Sequence, residues 1–285
     1  MKNKISVIIV TFHSEKIIME TIKYFTDQEI IIVECSGNQN LKEDLLKKNS
    51  NIKFILAEKN IGYGAGNNLG IRESSNEDIL ILNPDSLMDE KNIKELFNYM
   101  NTIENYGILC PSLEDDTCKN FSKKINYKPI KVGWDAIGKG LISGCALLLN
   151  KKKLKNDIFF DENIFMYKED TDMIKRVNEK KIDIYYLPYS SVKHIGSSSH
   201  NKSYNYEIEI SRQFHWPYGN VYFYLKHFGF LITFKKWGRK YFSSIIKTIF
   251  YFLIINKKYK IYFARFLGIS SALLKIKAWY RPKIK

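Results

Sequence analysis

Short runs of β-branched and other apolar residues alternate with longer amphipathic stretches along the first part of the chain. Runs at 5–10, 30–33, 52–57 and 79–82 predict strands, and stretches at 15–25, 41–48, 64–73 and 90–102 predict helices. Such alternation builds a parallel sheet covered by helices, so residues 1–110 form a nucleotide-binding half. Ligands of open α/β sheets bind beyond the carboxyl ends of the strands. Thr11, Glu34, 58–60 and 83–85 are therefore expected to converge on one crevice.

Beyond residue 106 the alternation weakens. A strand is predicted at 107–111, a polar loop at 114–124, a second apolar run at 146–149, a helix at 170–180 and a strand at 182–187 that Pro188 stops. Residues 111–200 are then an acceptor-side half, with a soft boundary at 200–206, where Ser and Asn cluster.

Charge sets the last part of the chain apart. The net charge of +15 is carried by residues 201–285, which hold 17 Lys and Arg against two acids, leaving 28 of each sign in 1–200. The same segment carries 23 of the 41 aromatic residues, so it is a basic, aromatic surface rather than a plain solvated charge run. That chemistry suits anionic lipid headgroups or nucleic acid. Runs at 218–234 and 241–255 are apolar with interspersed lysines, Lys247 among them, and fall short of the ~20 residues that span a bilayer. They are expected to lie on a membrane, or else to pack their aromatic faces on the catalytic domain. No signal-peptide pattern opens the chain, which is expected to be cytoplasmic. Cys35, Cys110, Cys118 and Cys145 lack metal-ligand spacing and read as reduced structural thiols.

Candidate chemistry gathers in a few places. Asp85 follows an apolar run, and 167–172 reads Tyr-Lys-Glu-Asp-Thr-Asp, with His194 later in the chain. A carboxylate at a strand end, paired carboxylates at a helix start and a later histidine suit metal-assisted group transfer from a nucleotide diphosphate. Each also has a plain structural explanation. Asn-Pro-Asp-Ser is a turn sequence, Asp170 can cap a helix, Asp172 can pair with Arg176, and His194 can be an ordinary polar residue at a strand end. Glycines at 62, 64 and 66 either let the backbone approach a phosphate at a helix N-terminus or make a flexible turn, and Asn67 is otherwise an exposed helical amide.

Taken together, Val7 to Thr11, Asn60 to Gly70, Leu82-Asn83-Pro84-Asp85, Gly144-Cys145, Glu169 to Asp172 and Val192-Lys193-His194 resemble family 2 glycosyltransferases, in particular the rhamnosyltransferase-like branch. The resemblance covers residues 4–200 in order. It implies a GT-A-type, Rossmann-like mixed sheet flanked by helices, here with a C-terminal basic aromatic helical appendage at 201–285. It further implies a nucleotide-sugar donor, Mg²⁺ or Mn²⁺, and inversion at the anomeric carbon.

By position, Asp85 matches the last carboxylate of the family's Asp-any-Asp triplet, with Asn83 where the first usually stands, and His194 matches a metal-binding histidine. Asp170 matches the base that takes the proton of the acceptor hydroxyl, with Glu169 and Asp172 on the acceptor side. Glu169 is expected to raise the pKa of Asp170 by like-charge repulsion. Thr11, Glu34, Asn60, Gly62, Asn67, Asn83 and Asp85 fall at donor contacts, Glu34 replacing a more usual aspartate. The branch suggests dTDP-rhamnose, then UDP-hexoses, as donor in polysaccharide assembly. The acceptor is expected to be a cell-envelope saccharide or lipid-linked, met at the inner face of the cell membrane on an anionic surface, with no nucleic-acid partner. The alternative is a non-catalytic nucleic-acid-binding protein using the basic aromatic tail, which leaves Asp85, Asp170 and His194 without a use. A sugar nucleotidyltransferase would want a basic glycine-rich loop after the first strand, where Thr11-Phe12-His13-Ser14 stands instead.

Overall fold

The computed structural model describes residues 4–48, 51–114, 128–138, 142–155, 159–195 and 205–281. The chain divides into two compact units, one of Met1–Ile61, Ala65–Phe160 and Met173–His200, the other of Gly62–Gly64, Asp161–Asp172 and Asn201–Lys285.

The first unit opens with β1 (Ser6–Thr11), α1 (Ile18–Ile22), β2 (Glu29–Glu34), α2 (Asn40–Lys48), β3 (Ile52–Leu56), α3 (Tyr63–Glu73, entering this unit at Ala65) and β4 (Asp78–Leu82). β1 is buried at every position, as expected of a parallel strand covered on both faces. β1 pairs in parallel with β2 and β4, and β2 with β3, with Thr11 opposite Glu34 at the carboxyl edge. The segment predicted as a helix over 15–25 is helical only in α1, with turns on either side.

The sheet then becomes mixed. β5 (Ser86–Leu87), α4 (Glu90–Thr102), β6 (Ile108–Leu113), β7 (Ile130–Lys131), β8 (Ala146–Asn150), α5 (Lys151–Leu154), α6 (Glu169–Glu179, entering this unit at Met173) and β9 (Ile184–His194) complete the unit. Strand order is β3-β2-β1-β4-β8-β6-β9-β5, with β7 also on β9. The Asp89 carboxylate caps α4 by accepting from the Asn92 amide at 2.8 Å. Ile9, Ile32, Leu80, Leu96 and Leu148 are fully buried in its core cluster.

Pro188 does not stop the last strand. The β6–β9 ladder pairs Pro111 with Leu187 and next Ser112 with Ser191, slipping past Pro188, Tyr189 and Ser190. A residue without an N–H is tolerated where pairing is interrupted, and pairing resumes beyond it. β9 therefore runs on to His194, which makes an antiparallel pair with Ser86.

The second unit contains α7 (Asn205–Leu253), kinked at Gly229 with φ 78°, and α8 (Lys258–Leu273). Phe165, Phe214, Tyr218, Trp237, Ile269 and Ala272 belong to its core. Gly268 brings the helices together, since a Cβ there would lie 2.2 Å from the Phe214 carbonyl oxygen. Burial pushes the pKa of His215 down to about 3, so its ring is neutral in this core. Among the described residues no helix is long and apolar enough to cross a membrane.

Cys35, Cys110 and Cys145 are free and buried, and burial raises the thiol pKa of each. Cys118, most of the polar loop and most of the 200–206 boundary lie outside the described residues.

Candidate active site

Thr11 ends β1 beside the end of β2, and its hydroxyl donates to Glu34 Oε2 at 2.5 Å. The other Glu34 oxygen accepts from the amide and hydroxyl of Ser36. Both residues are fully buried, and the carboxylate is satisfied by these internal donors. Asn60 lies half-buried between β3 and α3.

The glycines of the next segment find their use in packing. A Cβ on Gly66 would lie 2.8 Å from the Val10 side chain, and one on Gly70 2.4 Å from that of Ile8, so α3 lies directly on β1. In the second unit Gly62 has φ +89°, and a Cβ there would lie 2.4 Å from the Phe165 carbonyl oxygen. Tyr63 N–H donates to that same carbonyl at 3.0 Å. Asn67 is fully buried, not the exposed helical amide its polarity allowed. Its neighbour Asn68, which the sequence did not single out, donates to the Phe160 carbonyl at 2.8 Å and accepts from its amide at 3.1 Å.

The turn at 83–86 is fixed from several sides. Asn83 N–H donates to the Cys145 carbonyl at 2.8 Å, which gives Gly144-Cys145 its part, and Ser86 N–H donates back to Asn83 at 3.1 Å. The Thr21 hydroxyl donates to the Pro84 carbonyl at 2.5 Å. β5 then pairs with the end of β9, and Ile195 N–H donates to the Asp85 carbonyl at 3.0 Å. This pairing sets His194 Nε2 3.2 Å from Asp85 Oδ1, with the carboxylate 8% and the imidazole 35% exposed.

The donor set fits a hard divalent ion. Two ligands at ~2.1 Å and right angles on one ion lie about 3 Å apart, close to the Asp85–His194 spacing. The Asn83 Oδ1 atom is buried without a hydrogen-bond donor, an acceptor that a cation would satisfy. Among the described residues no three His, Cys, Asp or Glu side chains cluster as a metal site. A carboxylate, an imidazole and an amide oxygen leave room on the ion for others, as is usual where substrate phosphates supply them.

The paired carboxylates belong to the second unit. Tyr167 and Lys168, just before α6, have φ of 68° and 81°, a left-handed backbone that costs non-glycine residues about 1–2 kcal/mol each. A Cβ on Gly219 would lie 2.1 Å from the Tyr167 carbonyl oxygen, so α7 rests on this turn. Asp170 accepts from the amide and hydroxyl of Thr171 at 2.6 and 3.1 Å. Glu169 is buried, and its Oε2 has no hydrogen-bond partner. Burial first, then the Asp170 charge, push the Glu169 pKa up to about 8.

Asp172 is wholly buried in a charged network the sequence did not reveal. Its carboxylate lies 2.8 Å from His227 Nε2 and 2.8 Å from Lys226 Nζ. Lys226 also reaches Asp161 at 2.7 Å, and Asp161 accepts from the Tyr222 hydroxyl at 3.0 Å. Tyr222 and Lys226 stand four residues apart on one helix face, a detectable signal whose partners only the fold supplies.

Residues 6–171 match the profile described as Glycosyl transferase family 2. The low-salt glycan biosynthesis hexosyltransferase Agl10 of Haloferax volcanii is 25% identical over 205 residues, 65% of this chain and 64% of that protein. The match thus spans less than two thirds of that relative's length. Among solved structures, S. aureus TarS 1-349 in complex with UDP-GlcNAc aligns with a TM-score of 0.52 and 21% identity over 74% of this chain and 66% of that one. The mannosyltransferase PcManGT from Pyrobaculum calidifontis, in complex with GDP-Man and Mn2+, aligns with a TM-score of 0.56 and 11% identity over 95% and 86%. At these identities the likeness shows the fold, and it bears out the expected GT-A arrangement with a C-terminal helical region.

Proposed function

The chain belongs to glycosyl transferase family 2, and on that premise we propose that it transfers a hexosyl unit, with inversion, from a nucleoside diphosphate sugar to an acceptor hydroxyl. The observation that carries this is the pairing of β5 with β9, which sets His194 beside the buried Asp85 at the end of a nucleotide-fold strand. The hexosyltransferase relative supports a sugar donor, and neighbours of this fold bind UDP-GlcNAc and GDP-Man. Within that class dTDP-rhamnose is the first donor to test and UDP-hexoses the next. The acceptor in this reading is a cell-envelope saccharide or lipid-linked sugar met at the inner face of the membrane. Residues 1–200 serve catalysis, the donor in 1–110 and the acceptor in 111–200, and 201–285 associates with lipid. The nucleic-acid alternative has only the basic tail in its favour.

In this mechanism Thr11, Glu34, Asn60, Gly62 and Asn67 shape the donor side. Asp85 and His194, with the Asn83 carbonyl, would hold Mg²⁺ or Mn²⁺, which supplies positive charge to the diphosphate when bound. Asp170 accepts the proton of the acceptor hydroxyl as its oxygen bonds to the anomeric carbon. The bond from that carbon to the diphosphate oxygen breaks, and its electron pair leaves with the diphosphate. A single acting carboxylate gives direct displacement and hence inversion. Glu169, with its pKa near 8, stays largely protonated at neutral pH and does not compete as base.

The test is a panel of nucleotide sugars, assayed for binding and donor hydrolysis with and without Mn²⁺ or Mg²⁺, on the natural chain, Asp85→Ala and Asp170→Asn. Metal-dependent binding of one donor is expected, abolished in Asp85→Ala. Asp170→Asn keeps binding and loses turnover by about 10²-fold or more. Binding unaffected by Asp85→Ala, or full turnover in Asp170→Asn, overturns the assignment.

A further inference from the structure

We infer that the distal half of α7 and the turn into α8 form a lipid-inserting edge that seats the protein on an anionic bilayer. This deepens the membrane part of the function proposed above, and vesicle binding is read independently of sugar transfer.

Phe242, Ile246, Ile249, Phe250 and Leu253 are all exposed, Ile246 by 67% and Leu253 by 73%. Their spacing of three and four residues places them on one stripe of the helix. The stripe continues back through Arg239 and Lys235, both exposed, to Leu231, which is 82% exposed. Between Phe242 and Leu253 the stripe is apolar throughout, and a soluble surface does not ordinarily leave such a strip in water.

The turn is the second observation. Asn256 N–H bonds to the Tyr251 carbonyl and Ile255 N–H to that of Phe252, the hydrogen-bond pair of a Schellman end. The residue such an end sets in left-handed backbone is usually glycine. Here it is Ile255, with φ 55°, and it is 92% exposed. A β-branched side chain in that conformation is strained, and the fold gives its apolar surface nothing to pack on. Ile254 beside it is 53% exposed, so the tip presents adjoining apolar side chains.

Charge selects the occupant. No acidic residue occurs in 210–285, while exposed Lys257, Lys258 and Lys260 come directly after the tip. A second copy docking through this strip would bring lysines against lysines. An anionic headgroup layer instead meets the lysines with phosphates and receives the apolar tip beneath them.

The test is flotation of the full chain with vesicles of phosphatidylcholine alone and with added phosphatidylglycerol. Binding to the anionic vesicles is expected, weaker at high salt, with about a fivefold loss for each of Lys257→Ala and Lys258→Ala. Ile255→Gly suits the left-handed backbone better, so the fold is kept, and it weakens vesicle binding about tenfold. Leu253→Asp weakens it further. The inference is overturned if the natural chain fails to float with anionic vesicles, or if Ile255→Gly and Leu253→Asp float as it does. It is also overturned if sedimentation shows a dimer that Leu253→Asp dissociates, or if RNA binds and Leu253→Asp leaves vesicle binding intact.

Discussion

Replacing Lys226 by Met removes the cation that joins two carboxylates of the second unit. Its ammonium lies 2.7 Å from Asp161 and 2.8 Å from Asp172, whose side chain is wholly buried. Removing one partner of a buried ion pair costs roughly 3–5 kcal/mol, chiefly because the other charge is left without compensation. The low end applies, because the Lys226 side chain is 30% exposed and His227 still contacts Asp172. A loss of about 3 kcal/mol is expected, or roughly 6–12 °C in Tm at 2–4 °C per kcal/mol. Trp216, Trp237 and Trp279 lie in the second unit and Trp134 in the first, so tryptophan fluorescence tracks the loss mainly where it occurs. Asp172→Asn in the Lys226→Met background should show a coupling of at least about 1 kcal/mol. The Asp172 N–H donates to the Lys168 carbonyl at 2.9 Å and thereby closes the turn that carries Asp170, the proposed base, so kcat should fall while the KM for the donor is kept. A midpoint within about 0.5 kcal/mol of the natural chain, or strictly additive single variants, would refute the reasoning.

Lys168→Gly relieves the left-handed backbone before α6, so the urea midpoint should rise by about 1 kcal/mol equivalent, and an unchanged or lower midpoint counts against strain there. Glu169 has its folded pKa raised to about 8 from an ordinary value near 4.5, so its contribution is fully present below about 4.5 and is lost as pH rises through about 8. Urea midpoints from pH 5 to 9 should fall more steeply in the natural chain than in Glu169→Gln, and parallel profiles would dismiss the buried-acid account. Mn²⁺ with a nucleoside diphosphate should raise Tm in the natural chain and leave Asp85→Ala unmoved, with equal rises in both removing Asp85 from the cation site.

Hydrophobic periodicity carried most of the first sheet, because a strand covered on both faces reads as an unbroken apolar run, as at 7–10 in β1 and 79–82 in β4. The same logic was blind to β5 and to β9 beyond Pro188. β5 has only two residues, and a proline ends pairing unless a register slip accommodates it, which depends on the partner strand. Family likeness named Asp85, Asp170 and His194, and the basic, aromatic tail was plain from composition. By itself, then, the sequence determined the α/β class, the family and the charge asymmetry, since these reside in residue types and their local spacing. Only the tertiary structure decided that β5 carries Asp85 to His194, that the glycines of α3 serve packing on β1, and that Lys226 and His227 hold Asp172. Those contacts join residues far apart in the chain, where pairing is set by strand register and helix packing and leaves no local pattern to read.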